Sequence, residues 1–293
     1  MNGHDMEQDM AGPRHANWSR AATAALLAGS LLLADGAGAN CLELDGDLVQ
    51  GGIVLGNVAP GSRVTLDGEP LDVLEDGTTF AGFGRDAPAT AVLVVANQST
   101  CEQTLHIARR DYRIQRVEGV PPQTVTPPAE QLARIRRERA LVGAAKSQRL
   151  QRADLLLGAL ASFQWPAQGP ISGVYGSQRY YNGEPRSPHY GVDVAVPTGT
   201  PVHAPTAGVI TLAQPDLFYS GGTIILDHGF GLSSSFLHLS KVRVEVGQEV
   251  RAGDVIGEVG ATGRATGAHL DWRMSWRKQR IDPQLLVPPM PKP

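Results

Sequence analysis

Five residues in the second half of the chain have types and spacings that suit metal chemistry. His189 and Asp193 are four apart in His-Tyr-Gly-Val-Asp, and His269 and Asp271 are two apart in His-Leu-Asp. His238 stands between the pairs in Phe-Leu-His-Leu. Side chains at i, i+2 and i+4 of a β-strand share a face, so each pair, if placed on a strand, would point one way. Imidazole nitrogen and carboxylate oxygen are ordinary zinc donors, and three protein ligands plus a water make a catalytic zinc site. Such a centre hydrolyses bonds with an activated water, and a nearby histidine can take up the proton.

The composition supplies the strands that such a site needs. The chain has 34 Gly, 21 Pro and only 5% aromatic residues, a turn-rich and mainly β composition. Its 293 residues suggest two domains, at about 150 residues each. Residues 40–108 alternate short apolar runs with turn signals such as Asp45-Gly46, Pro60-Gly61, Asp67-Gly68 and Asp76-Gly77, a pattern that predicts a small β-sandwich. Residues 109–162 read as a Pro- and Arg-rich linker followed by a helix over 129–158, with Leu132, Ile135, Leu141, Leu150 and Leu155 as its apolar stripe. That helix reads first as a solvated one packed on one side; its arginines could alternatively meet an anionic wall or membrane surface. Residues 163–287 return to short apolar runs broken by Gly and Pro, a β-sheet domain followed by a tail at 288–293.

A net charge of -3 argues against a nucleic-acid partner. Arg14, His15 and Arg20 precede an apolar run over 21–34, and Ala37-Gly38-Ala39 follows, so residues 1–39 read as a cleaved secretory signal. That run falls short of the ~20 apolar residues that cross a bilayer, and no membrane span is expected after cleavage. The two cysteines, Cys41 and Cys101, predict one disulfide in an exported chain. A lipid-modified Cys41 is disfavoured by Asn40 before it, where a small residue is needed. The expected compartment is the periplasm or cell envelope.

Residues 163–286 resemble the M23 family of zinc metallopeptidases, the LytM or lysostaphin-like group. The motifs occur in order: Gly173-Val174-Tyr175-Gly176, the H-x-x-x-D of His189–Asp193, Gly199-Thr200-Pro201-Val202, Asp227-His228-Gly229, Phe236-Leu237-His238-Leu239, Gly253-Asp254-Val255-Ile256-Gly257, and Thr262-Gly263-Arg264 leading to His269-Leu270-Asp271. The resemblance implies an antiparallel LytM-like sheet, one zinc per chain, and cleavage of peptidoglycan peptides. It implies His189 and Asp193 as metal ligands and His238 and His269 as catalytic residues. The third ligand position holds Asp271, where the family has the second His of H-x-H. A second carboxylate weakens the Lewis acid and makes Mn2+ an alternative to zinc.

The expected function is a secreted metal-dependent endopeptidase acting on stem peptides or cross-links of peptidoglycan. The alternative is an inactive LytM-like domain that binds and regulates other cell-wall hydrolases, favoured only by Asp271. A carrier-domain reading of the 246–257 hairpin lacks the lysine it needs, since none lies between Gly253 and Arg277. His203 reads as a surface strand residue and His228 as a structural hydrogen-bonding residue at a turn.

Overall fold

In a computed structural model that describes residues 41–119 and 129–291, the described residues form five sheets and a short helical segment; two small antiparallel sheets and one large sheet make up most of the fold. The signal expected over 1–39 lies outside those residues. Among the described residues no helix is long and apolar enough to cross a membrane.

The first small sheet joins Leu44–Gly46, Ile53–Asn57 and Thr78–Gly82; the second runs Glu69–Pro70, Arg63–Leu66, Thr90–Ala96, Thr100–His106. Alternation buries Ala91 and Leu93 of one strand with Val54 and Phe80 of the other sheet, as expected for sandwiched sheets. Cys41 and Cys101 are bonded, closing a separation of 60 residues. Chain-entropy arguments for a loop of that size give about 4 kcal/mol of stabilisation. Replacing both cysteines with serine should therefore lower the urea midpoint of unfolding by a corresponding amount; an unchanged midpoint would refute this estimate.

The stretch read as linker is partly ordered. Ile114–Val117 pairs in parallel with Gln178–Tyr181, so it joins the second half of the chain. The single helix expected over 129–158 is two helices, α1 (Leu132–Ser147) and α2 (Ala153–Ala161). The break has a tertiary cause. Phe230 N donates to Leu150 O at 2.8 Å, and a Cβ on Gly229 would stand 2.6 Å from Arg152 O. The 148–152 backbone is thus bound to a hairpin that only glycine lets come so close. The expected stripe is also different: Leu132 and Leu141 are exposed, Leu150 lies outside both helices, and α1 docks through Val142 and Ala145. α2 buries Leu155, Leu156 and Ala159.

The large sheet is antiparallel. Its order is Glu249–Val250, Gly208–Leu217, Gly221–Asp227, Leu232–Leu239, Leu270–Trp276, Gly191–Val194, Ile171–Gly173, with Gln279–Ile281 also paired to Leu270–Trp276. One face is apolar: Val192, Val194, Ile224, Leu226, Phe236, Leu270, Trp272 and Met274 are buried in the main core. That core is continuous from Leu42 to Ile281 and includes a Phe80–Trp276 ring contact at 5.5 Å. Register puts Asp193, Asp271 and Leu237 side by side on the other face. The two aspartates therefore sit side by side on a strand floor.

Candidate active site

The structure brings all five sequence-selected residues together. Asp193 and Asp271 are Cα partners on adjacent strands. His189 and His269 each stand just before the strand that carries its aspartate, which corrects the expectation that both would lie within strands. His189 is fixed by two backbone bonds, N to Ser177 O and O from Gly176 N, both 2.8 Å. Its Nε2 lies 3.2 Å from Asp193 Oδ1. His269 Nε2 is 3.9 Å from that same oxygen, and His238 Nε2 is 4.0 Å from Asp271 Oδ2. The two outer imidazoles have centroids 4.9 Å apart.

His238 reaches this face against the strand's alternation. Phe236 points into the core and Leu237 to the site, so a regular His238 would point to the core. Instead the register shifts between Gly222 and Ile224, leaving Leu237 and His238 opposite Thr223. His238 has φ +63°, a left-handed backbone that costs a non-glycine residue about 1–2 kcal/mol. Such bulges commonly re-aim a side chain at a functional site. Thr262 holds it there: its carbonyl faces His238 Nδ1 at 2.8 Å, while its hydroxyl bonds Gly222 N and Leu239 O.

The tautomers of both outer histidines follow from their partners. His238 Nδ1 faces Thr262 O and His269 Nδ1 faces Gly267 O at 2.9 Å. A carbonyl only accepts, so the neutral rings are assigned Nδ1–H and offer the Nε2 lone pair to the cluster. Burial holds His238 below the ordinary histidine pKa, against the pull of Thr262 O and Asp271.

A cation fits this geometry. One donor atom each from His189, Asp193 and Asp271 lie within 4.8 Å of one another. His189 Nε2 and Asp193 Oδ1 are buried and, although they face each other at 3.2 Å, neither makes a hydrogen bond. Leaving such groups unmet costs about 1–3 kcal/mol each, and a metal would satisfy both at once. Asp271 differs. Arg273 donates Nε to its Oδ1 at 2.9 Å and Nη2 to its Oδ2 at 2.5 Å. Burial pushes the Asp271 carboxyl up, but the Arg273 charge and hydrogen bonds outweigh it and hold the pKa below the usual range.

Sequence reasoning missed Arg273, although its i+2 spacing from Asp271 places both on one face. It also missed Thr262 and two glycines that make room for the carboxylates. A Cβ on Gly173 would stand 2.1 Å from Asp193 Oδ2, and one on Gly191 would stand 2.9 Å from Asp271 Oδ1. Among the described residues, His228 and His203 lie outside this cluster. His228 is fully buried between Ala207 O and Ser234 Oγ, and burial lowers its pKa to about 4. His203 faces Gly253 O.

Known proteins share this architecture. The model of Peptidase family M23 matches residues 187–283, which include all five residues. The chain is 38% identical over 96 residues to the peptidoglycan DD-endopeptidase ShyA of Vibrio cholerae, covering 33% of this chain and 22% of that protein. It is 39% identical over 104 residues to the DD-carboxypeptidase/endopeptidase Mpg of Neisseria meningitidis, covering 36% of this chain and 24% of that one. The chain thus spans under a quarter of the length of these curated relatives. A Pseudomonas aeruginosa structure described as a peptidase M23 is similar over far more: 32% identity, 82% of this chain, 95% of that chain, TM-score 0.62. Likeness of that extent covers more than the sheet that carries the site, and with it the chain belongs to peptidase family M23.

Proposed function

We propose that this chain is an exported metal-dependent endopeptidase that hydrolyses stem peptides or cross-links of peptidoglycan. The carrying observation is the pair of buried, unpartnered donor atoms, His189 Nε2 and Asp193 Oδ1, with Asp271 beside them and two imidazole Nε2 atoms facing in. The substrate class is supported by the relatives named as peptidoglycan peptidases. Export is supported by the signal-like leader and the Cys41–Cys101 bond.

His189, Asp193 and Asp271 would hold zinc, with Mn2+ as the alternative. Zinc bound there would supply an acidified water and a Lewis acid for the scissile carbonyl. The protein's own share is proton handling. His238 and His269, each with Nδ1–H tied to a carbonyl, present Nε2 to accept the proton of the attacking water. Once protonated, such a ring can donate to the oxyanion or to the departing amine. The strand floor fixes both aspartates, so little reorganisation is needed.

A second reading, a metal-free module that binds other hydrolases, is favoured by one observation: Arg273 already occupies both oxygens of Asp271. Metal analysis separates the two. One equivalent of zinc or manganese per chain after gentle purification is expected. Less than one equivalent would favour the binding module.

A further inference from the structure

The sheet face that carries Asp271 continues into a second group of charges. Arg273 and Ser275 follow Asp271 by alternation, and Ser235 is the Cα partner of Arg273 on the next strand. α1 crosses this face. Arg134 pairs with Asp216 at 2.9 Å near the N-terminal end of α1, and Val142 and Ala145 pack on Leu212, Leu217 and Ile225. Its last turn brings Lys146 Nζ to 3.2 Å from Ser275 Oγ. Arg280, the Cα partner of Ser275 on the other side, brings Nη1 to 3.1 Å from the same oxygen.

Two cations thus converge on one hydroxyl, and neither has a carboxylate partner among the described residues. The carboxylates that reach this cluster electrostatically are Asp271 and Asp193, both committed to the metal site. Arg273 spends Nε and Nη2 on Asp271 and keeps Nη1 uncommitted. The hydroxyl of Ser235, a residue only 3% exposed, has no partner at all. Burial, followed by the charges of Arg280 and Arg273, pushes the Lys146 pKa down to about 7. Burying a charge without a counter-ion is costly, and Lys146 escapes part of that cost by giving up its proton; a bound anion would favour its charged form and compensate Arg280. Ser275 lies four positions beyond Asp271, about 13 Å of strand, which an extended peptide covers in about four residues.

We infer that Lys146, Arg273 and Arg280, with the hydroxyls of Ser235 and Ser275, form a subsite for a carboxylate group of the peptide substrate. The inference rests on the peptidase reading for the identity of the peptide. It makes α1 part of the substrate site: the helix supplies one of the three cations. Charge-assisted hydrogen bonds of this kind are roughly twice as strong as neutral ones.

The test is calorimetric binding to the full chain in chelator, where hydrolysis is absent. The probes are a cross-linked muropeptide dimer with free carboxylates and the same dimer with those groups converted to carboxamides. The parent should bind the acid form at least tenfold more tightly. Lys146→Met and Arg280→Met should bind both forms alike, at the weaker affinity, and Lys146→Arg should restore the preference. Thermal unfolding checks that each variant is folded. Equal or undetectable binding of both forms by the parent, or an undiminished preference in folded Lys146→Met and Arg280→Met, would overturn the subsite. Hydrolysis of the acid dimer with added zinc is read in parallel. A carboxylate preference without hydrolysis supports the subsite and refutes the peptidase reading; hydrolysis without the preference does the reverse.

Discussion

His238→Ala and His269→Ala should each lower kcat/KM for muropeptide cleavage by roughly 10²–10⁴-fold, the usual worth of a general acid–base group. Metal content and fold should be retained. The expectation follows from position: neither ring belongs to the donor set within 4.8 Å, and each points Nε2 toward an aspartate of that set from 3.9–4.0 Å. Such a loss equals about 3–5 kcal/mol of transition-state stabilisation. His238 needs a second variant, because its left-handed backbone disfavours most side chains. Asparagine tolerates that conformation well, so His238→Asn should keep the bulge and still lose the activity. Unchanged cleavage in both His238→Asn and His269→Ala would remove these residues from the mechanism.

The second large effect concerns the Asp271–Arg273 pair. Asp271→Ala should weaken zinc binding by an order of magnitude or more, since it deletes one of the three proposed donors. Asp271→His should keep it. Arg273→Met should act in the opposite direction and tighten zinc binding. The guanidinium repels a dication and competes for both carboxylate oxygens. Without it, and without metal, Asp271 is a buried anion with no partner, a state that costs about 3–5 kcal/mol. Zinc would relieve that cost, so the Arg273→Met protein should gain more thermal stability from zinc than the parent does. Hydrolysis should nonetheless fall. One His and two Asp donors formally neutralise the dication, and Arg273 returns one positive charge to the centre; losing it leaves a weaker Lewis acid. Competition with a chromophoric chelator measures the affinities. If Arg273→Met binds zinc no more tightly than the parent, Arg273 does not compete with the metal for Asp271.

Local patterns were readable in the sequence where local rules decide them. Turn signals and alternation identify a mainly β chain, and the cysteine pair gives the disulfide between Cys41 and Cys101. The spacing of His189 with Asp193 and of His269 with Asp271 singled out the right residues, although it is strand register that sets the two aspartates side by side and both histidines precede their strands. What escaped is set by tertiary contacts. His238 is turned to the site by a bulge that no periodicity announces, since alternation alone would send it to the core with Phe236. The helix break at 148–152 depends on a hairpin about 80 residues downstream. α1 docks through Val142 and Ala145 because Leu212, Leu217 and Ile225 present an apolar patch there, whatever the stripe of leucines suggests. Arg273 was legible as a neighbour of Asp271, but its bidentate grip depends on the carboxylate being buried beneath it.

The central claim is metal-dependent hydrolysis of peptidoglycan peptides, and digestion of purified sacculi tests it most directly. The chain lacking residues 1–39 is incubated with sacculi, with and without chelator, and the released fragments are weighed by mass spectrometry. Cleaved stem peptides or cross-links that disappear with chelator and return with added zinc are the predicted result. Release of nothing by a zinc-loaded, folded protein, or the same fragments in chelator, would contradict it.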